Sequence, residues 1–166
     1  MDQQKPTVIL VDDEATGMRG FVRSLEASGC RVVQLRGADE AWAYFSQERP
    51  KADALILELM VPPGKHPFPK PAPRGEQDAP VPNGGVWVYD GVVAPPALRS
   101  GQMPVPMAIL TRANGAETLR LVNQAMERHR SAIVRVWFKK DTDPKRFANE
   151  FTTWLAAVRE IGPPEA

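Results

Sequence analysis

The sequence predicts an α/β fold: a parallel five-stranded sheet with helices on both faces, in one domain over residues 1–166. Three observations predict it. Short apolar, β-branched runs alternate with amphipathic helical stripes, and this alternation implies a parallel sheet. The runs are apolar at nearly every position, as strands buried on both faces must be. The chain has 166 residues, 43% of them apolar and 25% charged, the make-up of one ordinary globular domain.

Each element has its own signature. Thr7 to Val11 (TVILV) is the first strand. Met18, Phe21, Val22 and Leu25 then recur at helical spacing, and Gly29 stands where a helix C′ residue would be. Arg31 to Leu35 (RVVQL) is the second strand. Ala38, Ala41, Trp42 and Phe45 make the second helical stripe, with Pro50 after it. Ala54 to Leu57 (ALIL) is the third strand and leads into Glu58, Leu59 and Met60.

Of the 17 prolines, 12 lie from Pro62 to Pro106, so they mark one region rather than the whole chain. Val61 to Arg74 (VPPGKHPFPKPAPR) is incompatible with helix or inner strand, because proline lacks an N–H and fixes φ. Residues 61–105 are therefore read as a proline-rich insertion loop with an irregular third helix. That helix falls in Gly85 to Val93 (GVWVYDGVV), whose composition favours strand but whose place in the alternation calls for helix. Pro106 to Thr111 (PMAILT) is the fourth strand, and Leu119, Val122, Ala125 and Met126 form the fourth helix. Ile133 to Phe138 (IVRVWF) is the fifth strand. Asp143 and Pro144 read as an N-cap and first-turn pair, opening a last helix with Phe147, Phe151, Trp154, Leu155 and Val158 on its apolar face.

Composition excludes several functions. With 21 Lys plus Arg against 20 Asp plus Glu, the net charge of +1 gives no basic footprint for nucleic acid. Cys30 is the only cysteine, so neither an internal disulfide nor a cysteine-rich zinc site can form; this suits a reducing cytoplasm. No apolar stretch approaches the ~18 residues of a membrane-spanning helix. His66 and His129 lack metal-ligand spacing, and Gly84-Gly85 lacks a phosphate-loop pattern. The prolines of PFPKPAPR miss the regular spacing of a proline-rich ligand.

In an open parallel sheet, ligands collect at the carboxyl ends of the strands. Asp12 and Asp13 end the first strand, Glu58 the third, Thr111 the fourth, and Lys139 and Lys140 the fifth. The fold thus gathers several carboxylates, a hydroxyl and an ammonium at one crevice. Hard oxygen ligands suit Mg²⁺, and a lysine suits a phosphoryl oxygen.

The motifs VDDE (Val11 to Glu14), LILELMVPPG (Leu55 to Gly64), ILT (Ile109 to Thr111) and WFKKDTDP (Trp137 to Pro144), in this order and at strand ends, resemble the receiver domain of two-component response regulators. The resemblance covers nearly the whole chain except the proline-rich insertion. It implies a flavodoxin-like, doubly wound (β-α)5 fold with strand order 2-1-3-4-5. It implies that Asp12 and Asp13 hold Mg²⁺, that Thr111 and Trp137 are the switch residues, and that Glu58 stands at the phosphoacceptor position. Lys140 matches the phosphate-contacting lysine, since counting from it puts Trp137 at the switch aromatic without a gap; Lys139 is the alternative and needs one inserted residue. For Trp137, a strand aromatic packed on the last helix is an equal reading.

Two positions depart from the family pattern: Glu58 replaces the acceptor aspartate, and Asp141 replaces the proline after the lysine. Glutamate is one methylene longer, so its carboxylate reaches roughly 1.5 Å further into the crevice, and misplacement of ~1 Å can cost about 10²-fold in a positioned reaction. A standing Lys140–Glu58 ion pair would partly mimic the phosphorylated state. The expectation is a stand-alone, cytoplasmic, bacterial pseudo-receiver in phosphorelay signal transduction, not an enzyme and not controlled by ordinary phosphorylation. Its partner would be a sensor kinase or downstream target protein, with a homodimer through the fourth helix, fifth strand and fifth helix as a further expectation. The residues leave open whether Mg²⁺ binds and whether Glu58 accepts phosphate. A Mg²⁺-dependent phosphohydrolase using Asp12 is the weaker alternative, because Glu14 stands where such enzymes place an aspartate.

Overall fold

In the computed structural model, the described residues are 5–46, 51–62, 64–65, 84–89, 91, 105–112, 116, 120, 123, 127 and 134–161. They form strands β1 (Thr7–Val11), β2 (Arg31–Leu35), β3 (Ala54–Leu57), β4 (Met107–Thr111) and β5 (Val134–Phe138). Helices α1 (Ala15–Ala27), α2 (Ala38–Phe45) and α3 (Gly84–Val88) and a C-terminal helix (Pro144–Ile161) complete the set. All strand pairs are parallel, in the order β2-β1-β3-β4-β5. The fold class and strand order are those expected from the sequence.

The strand residues divide by parity. Ile9, Val11, Leu55, Leu57, Met107 and Ile109 face one way and pack with Ala38, Ala41, Phe45, Val88 and Tyr89 of the α2 and α3 side. Val8, Leu10, Ile56, Ala108, Leu110 and Trp137 face the other way and meet Met18, Phe21 and Leu25 of α1 and Phe147, Phe151 and Trp154 of the C-terminal helix. All residues of β1, β3 and β4 are buried, which is why these runs carry apolar side chains on both faces.

Local signals hold the helices. Gly29 has φ 90° just past α1, a conformation open to glycine at little cost. Asp143 accepts the backbone N–H groups of Lys145 (3.0 Å) and Arg146 (3.0 Å), capping the C-terminal helix ahead of Pro144. Helix α3 lies hard against the chain leaving β3. A Cβ at Gly85 would come 2.0 Å from the Glu58 carbonyl oxygen, so only glycine fits, and the Gly85 N–H donates to the Leu59 carbonyl at 3.1 Å.

Residues 66–83 and 92–104, which carry most of the expected insertion, lie outside the described residues, as do Leu119, Val122, Ala125 and Met126 of the expected fourth helix. Among the described residues, no helix is long and apolar enough to cross a membrane.

Candidate functional site

Three of the four buried polar residues among the described residues stand at the carboxyl end of the sheet, the fourth being Thr7 at the start of β1. Asp12, Glu58 and Thr111 are each the residue at, or immediately after, the end of a central strand, and all are at most 5% exposed. Because β3 lies between β1 and β4, Glu58 lies centrally, with Asp12 on one flank and Thr111 on the other.

Lys139 closes the group. It follows the last residue of β5 and starts a 3-10 turn over Lys139–Asp141. Its Nζ donates to Asp12 Oδ2 at 2.6 Å and to Glu58 Oε2 at 2.7 Å. All three side chains are 6% exposed or less.

The lysine at the site is thus Lys139, not Lys140, which is exposed on the same turn. The gapless count from Lys140 is off by one residue, because the 3-10 turn that begins at Lys139 directs that side chain into the crevice and leaves Lys140 in solvent. The same slip bears on Trp137. It pairs with Leu110 rather than Thr111 and packs into the C-terminal helix. There it meets Phe147 and Trp154 edge to face, with ring centroids 5.2 and 6.0 Å away, and its indole N–H donates to Glu150 Oε2 at 2.8 Å. The packed reading of Trp137 is the one its contacts match.

Glu58 is surrounded by donors. Its Oε1 accepts the N–H groups of Leu59 (2.7 Å) and Met60 (3.3 Å) and the Thr111 hydroxyl (2.5 Å). Its Oε2 accepts the Arg112 N–H (3.2 Å) and the Lys139 ammonium. Five donors therefore converge on a carboxylate that offers about four lone-pair positions. Such a cradle of backbone amides, a hydroxyl and an ammonium is suited to an anion, and here the anion is the chain's own side chain.

Asp12 is held between Lys139 and the Glu14 N–H, which donates to its Oδ1 at 2.9 Å. Burial pushes the Asp12 carboxyl above its usual range, opposed by the hydrogen bond from Lys139. Burial works to lower Lys139, but the carboxylates of Glu58 and Asp12 prevail and hold its ammonium above the usual value. Two carboxylates thus share one buried cation.

Asp13 stands apart from this triad. It is half-buried and lines a hollow of about 360 Å³ with Glu14, Thr16, Gly17 and Arg36; burial raises its carboxyl. Among the described residues, no three His, Cys, Asp or Glu side chains are grouped to hold a metal ion. Asp12 turns one oxygen to Lys139 and the other to the Glu14 amide, while Asp13, the second carboxylate of the expected Mg²⁺ pair, faces the hollow.

Arg112 carries no motif that marks it as part of the site. Its backbone N–H supports Glu58, while its guanidinium reaches Glu14 Oε1 at 2.7 Å across 98 positions of chain. Nor do the backbone donors of Leu59 and Met60 have any sequence signal beyond following a strand end.

No family model matches the sequence, and no curated protein matches it. Solved structures are similar in fold. A CheY-like response regulator receiver domain protein from Methanospirillum hungatei JF-1 is 16% identical, with a TM-score of 0.60 over 96% of this chain and 100% of that one. A response regulator receiver domain protein from Clostridium thermocellum is 15% identical, with a TM-score of 0.60 over 94% and 98%. A response regulator receiver protein from Pseudoalteromonas atlantica is 12% identical, with a TM-score of 0.59 over 92% and 99%. The likeness is one of fold, and the chain has the flavodoxin-like architecture that these receiver domains share.

Proposed function

We propose that this chain is a receiver-like signalling module whose anion site is filled by its own Glu58 carboxylate, and that it works through protein–protein contact without phosphotransfer. The observation that carries this reading is the set of five donors on Glu58.

Accepting a phosphoryl group requires a carboxylate oxygen with a lone pair free for in-line attack. On Glu58 both oxygens are already committed to donors. The donors that would stabilise transferred phosphoryl oxygens, Thr111, Lys139 and the local amides, are consumed by the same carboxylate. In this reading the site is fixed in one arrangement that resembles a charged, engaged state, with one negative charge instead of nearly two. The Lys139 ammonium stands between Asp12 and Glu58 where a divalent cation would be needed, so Mg²⁺ binding is weak. The chain is not an enzyme on this reading, because Asp12, the alternative nucleophile, is buried and bonded through both oxygens. Its partner is a protein, a sensor kinase or a downstream target.

The test exposes the native chain, Glu58→Asp and Glu58→Gln to an acyl phosphate with millimolar Mg²⁺ and reads intact mass. The native chain and Glu58→Gln stay unmodified. Glu58→Asp, with its shorter side chain withdrawn from the cradle, gains one acid-stable, base-labile phosphoryl group. Rapid modification of the native chain at Glu58 would overturn the proposal and establish phosphorylation on glutamate instead. A thermal shift of the native chain with Mg²⁺ would overturn the part concerning the cation.

A further inference from the structure

Glu14 follows β1 and Arg112 follows β4, and the sheet order puts β3 between those strands. Neighbouring strands lie about 4.8 Å apart, so a side-chain bond from Arg112 to Glu14 must span roughly 10 Å across the carboxyl end of β3. Glu58 stands at that end. The Arg112–Glu14 ion pair, 2.7 Å long, therefore crosses the mouth of the triad.

The crossing is tied in at both feet. The Arg112 N–H donates to Glu58 Oε2, and the Glu14 N–H donates to Asp12 Oδ1. The two residues that form the bridge thus also position the two buried carboxylates. Helix α1 makes room for it: a Cβ at Gly17 would come 2.9 Å from a terminal nitrogen of Arg112. The Lys139 side chain is 6% exposed, while those of Arg112 and Glu14 are 58% and 43% exposed.

We infer that Arg112 and Glu14 form a latch over the Asp12–Glu58–Lys139 triad, which opens and closes the buried site to small reagents. An exposed ion pair is weak and screened by salt, so the latch opens thermally instead of sealing the site. Arg112 is a positioning residue here, acting on access and on Glu58. The inference rests on the geometry of the site and stands whether or not Glu58 takes phosphate.

Adjacent lysines supply the test. Lys139 lies under the latch and Lys140 is exposed beside it, so each molecule contains its own control. The full chain is labelled briefly with acetic anhydride, and acetylation of the two lysines is quantified by peptide mass spectrometry. In the native chain Lys139 labels far more slowly than Lys140. Arg112→Ala and Glu14→Gln raise the Lys139 rate, relative to Lys140, by about two- to fivefold, the population change that an exposed ion pair can hold. Molar salt does the same to the native chain.

Gly17→Leu provides the independent arm, because it crowds the Arg112 guanidinium and the Glu14 carboxylate from an exposed helix position while leaving the triad and both latch residues unsubstituted. It also raises the Lys139 rate, while the melting temperature stays at or above the native value, since leucine favours helix over glycine. A Lys139 to Lys140 ratio unchanged in Arg112→Ala, Glu14→Gln and Gly17→Leu would refute the latch. So would a rise confined to variants whose melting temperature falls, since that reports general loosening.

Discussion

The two ends of the sheet use the same device to different effect. At the amino end, Asp53 accepts the Thr7 N–H at 2.7 Å and pairs with Arg159 at 2.5 Å, pinning the C-terminal helix to the start of β1. At the carboxyl end, Asp12 accepts the Glu14 N–H and pairs with Lys139. Each is a carboxylate held by one amide and one cation. The difference is water: Arg159 and Asp53 are 45% and 40% exposed, whereas Lys139 and Asp12 are 6% and 1% exposed. Solvent screens the first pair, but the second, joined by Glu58, must satisfy itself. Burial, more than bond length, decides which end is fixed and which is replaceable.

The comparison is sharpened most by Lys139→Met. It leaves Asp12 and Glu58 buried beside each other without their shared cation, and breaking a buried pair in this way costs about 3–5 kcal/mol. Lys140→Met, one residue on and exposed, changes stability by less than about 0.5 kcal/mol. Urea midpoints of the two variants measure the contrast. Adding Glu58→Gln to Lys139→Met returns part of the loss, because it removes one of the stranded charges. Equal midpoints for the two single variants would mean that the triad is not a buried ionic unit.

Gly85→Ala tests the carboxyl end through packing rather than charge. The added methyl meets the Glu58 carbonyl oxygen, a backbone atom that cannot rotate away. Overpacking of this kind costs about 1–3 kcal/mol, and here the displaced residue is the one that carries the anion. The amide signals of Leu59, Met60 and Arg112 therefore shift with the loss of stability. A stable variant with unmoved amides would show that helix α3 does not position Glu58.

Arg159→Ala probes the amino end. The pair it breaks is nearly half exposed, so the expected loss is about 0.2–1 kcal/mol, several times smaller than at Lys139. A loss as large as that of Lys139→Met would erase the distinction between the ends.

The legibility of the molecule follows the same division. The strands were readable because β1, β3 and β4 are buried on both faces and so carry unbroken apolar runs. Asp12, Glu58 and Thr111 were readable because a polar residue that ends such a run must sit at the sheet's rim. Lys139 was not separable from Lys140, since two adjacent lysines at a strand end differ only in which way the following turn points them. The amides that cradle Glu58 carry no side-chain signature at all. Arg112 and Glu14 meet only because the strand order brings distant segments to one rim, and no local pattern records that.

The gentlest test concerns Trp137, whose packing onto the C-terminal helix separates the site's neighbour from the site itself. Its indole N–H donates to Glu150, which also accepts from Arg146 Nε at 2.8 Å. The Arg146 hydrogen bond, followed by that of Trp137, holds the Glu150 carboxyl below its ordinary value of 4.5. A folded-state value below the unfolded one means that the contribution is present above the unfolded value and is lost as pH falls through the folded one. Stability from this contact is thus constant at neutral pH and declines only in acid. The Trp137 indole N–H resonance reports the event directly, since it loses a charged acceptor when Glu150 takes a proton. Its titration midpoint falls below the ordinary glutamate value in the native chain and moves up towards it in Arg146→Ala. A midpoint at or above the ordinary value in the native chain would mean that the indole and guanidinium do not share this carboxylate in solution, and that Trp137 is held by its ring contacts, the Arg135 guanidinium 4.7 Å from its centroid among them.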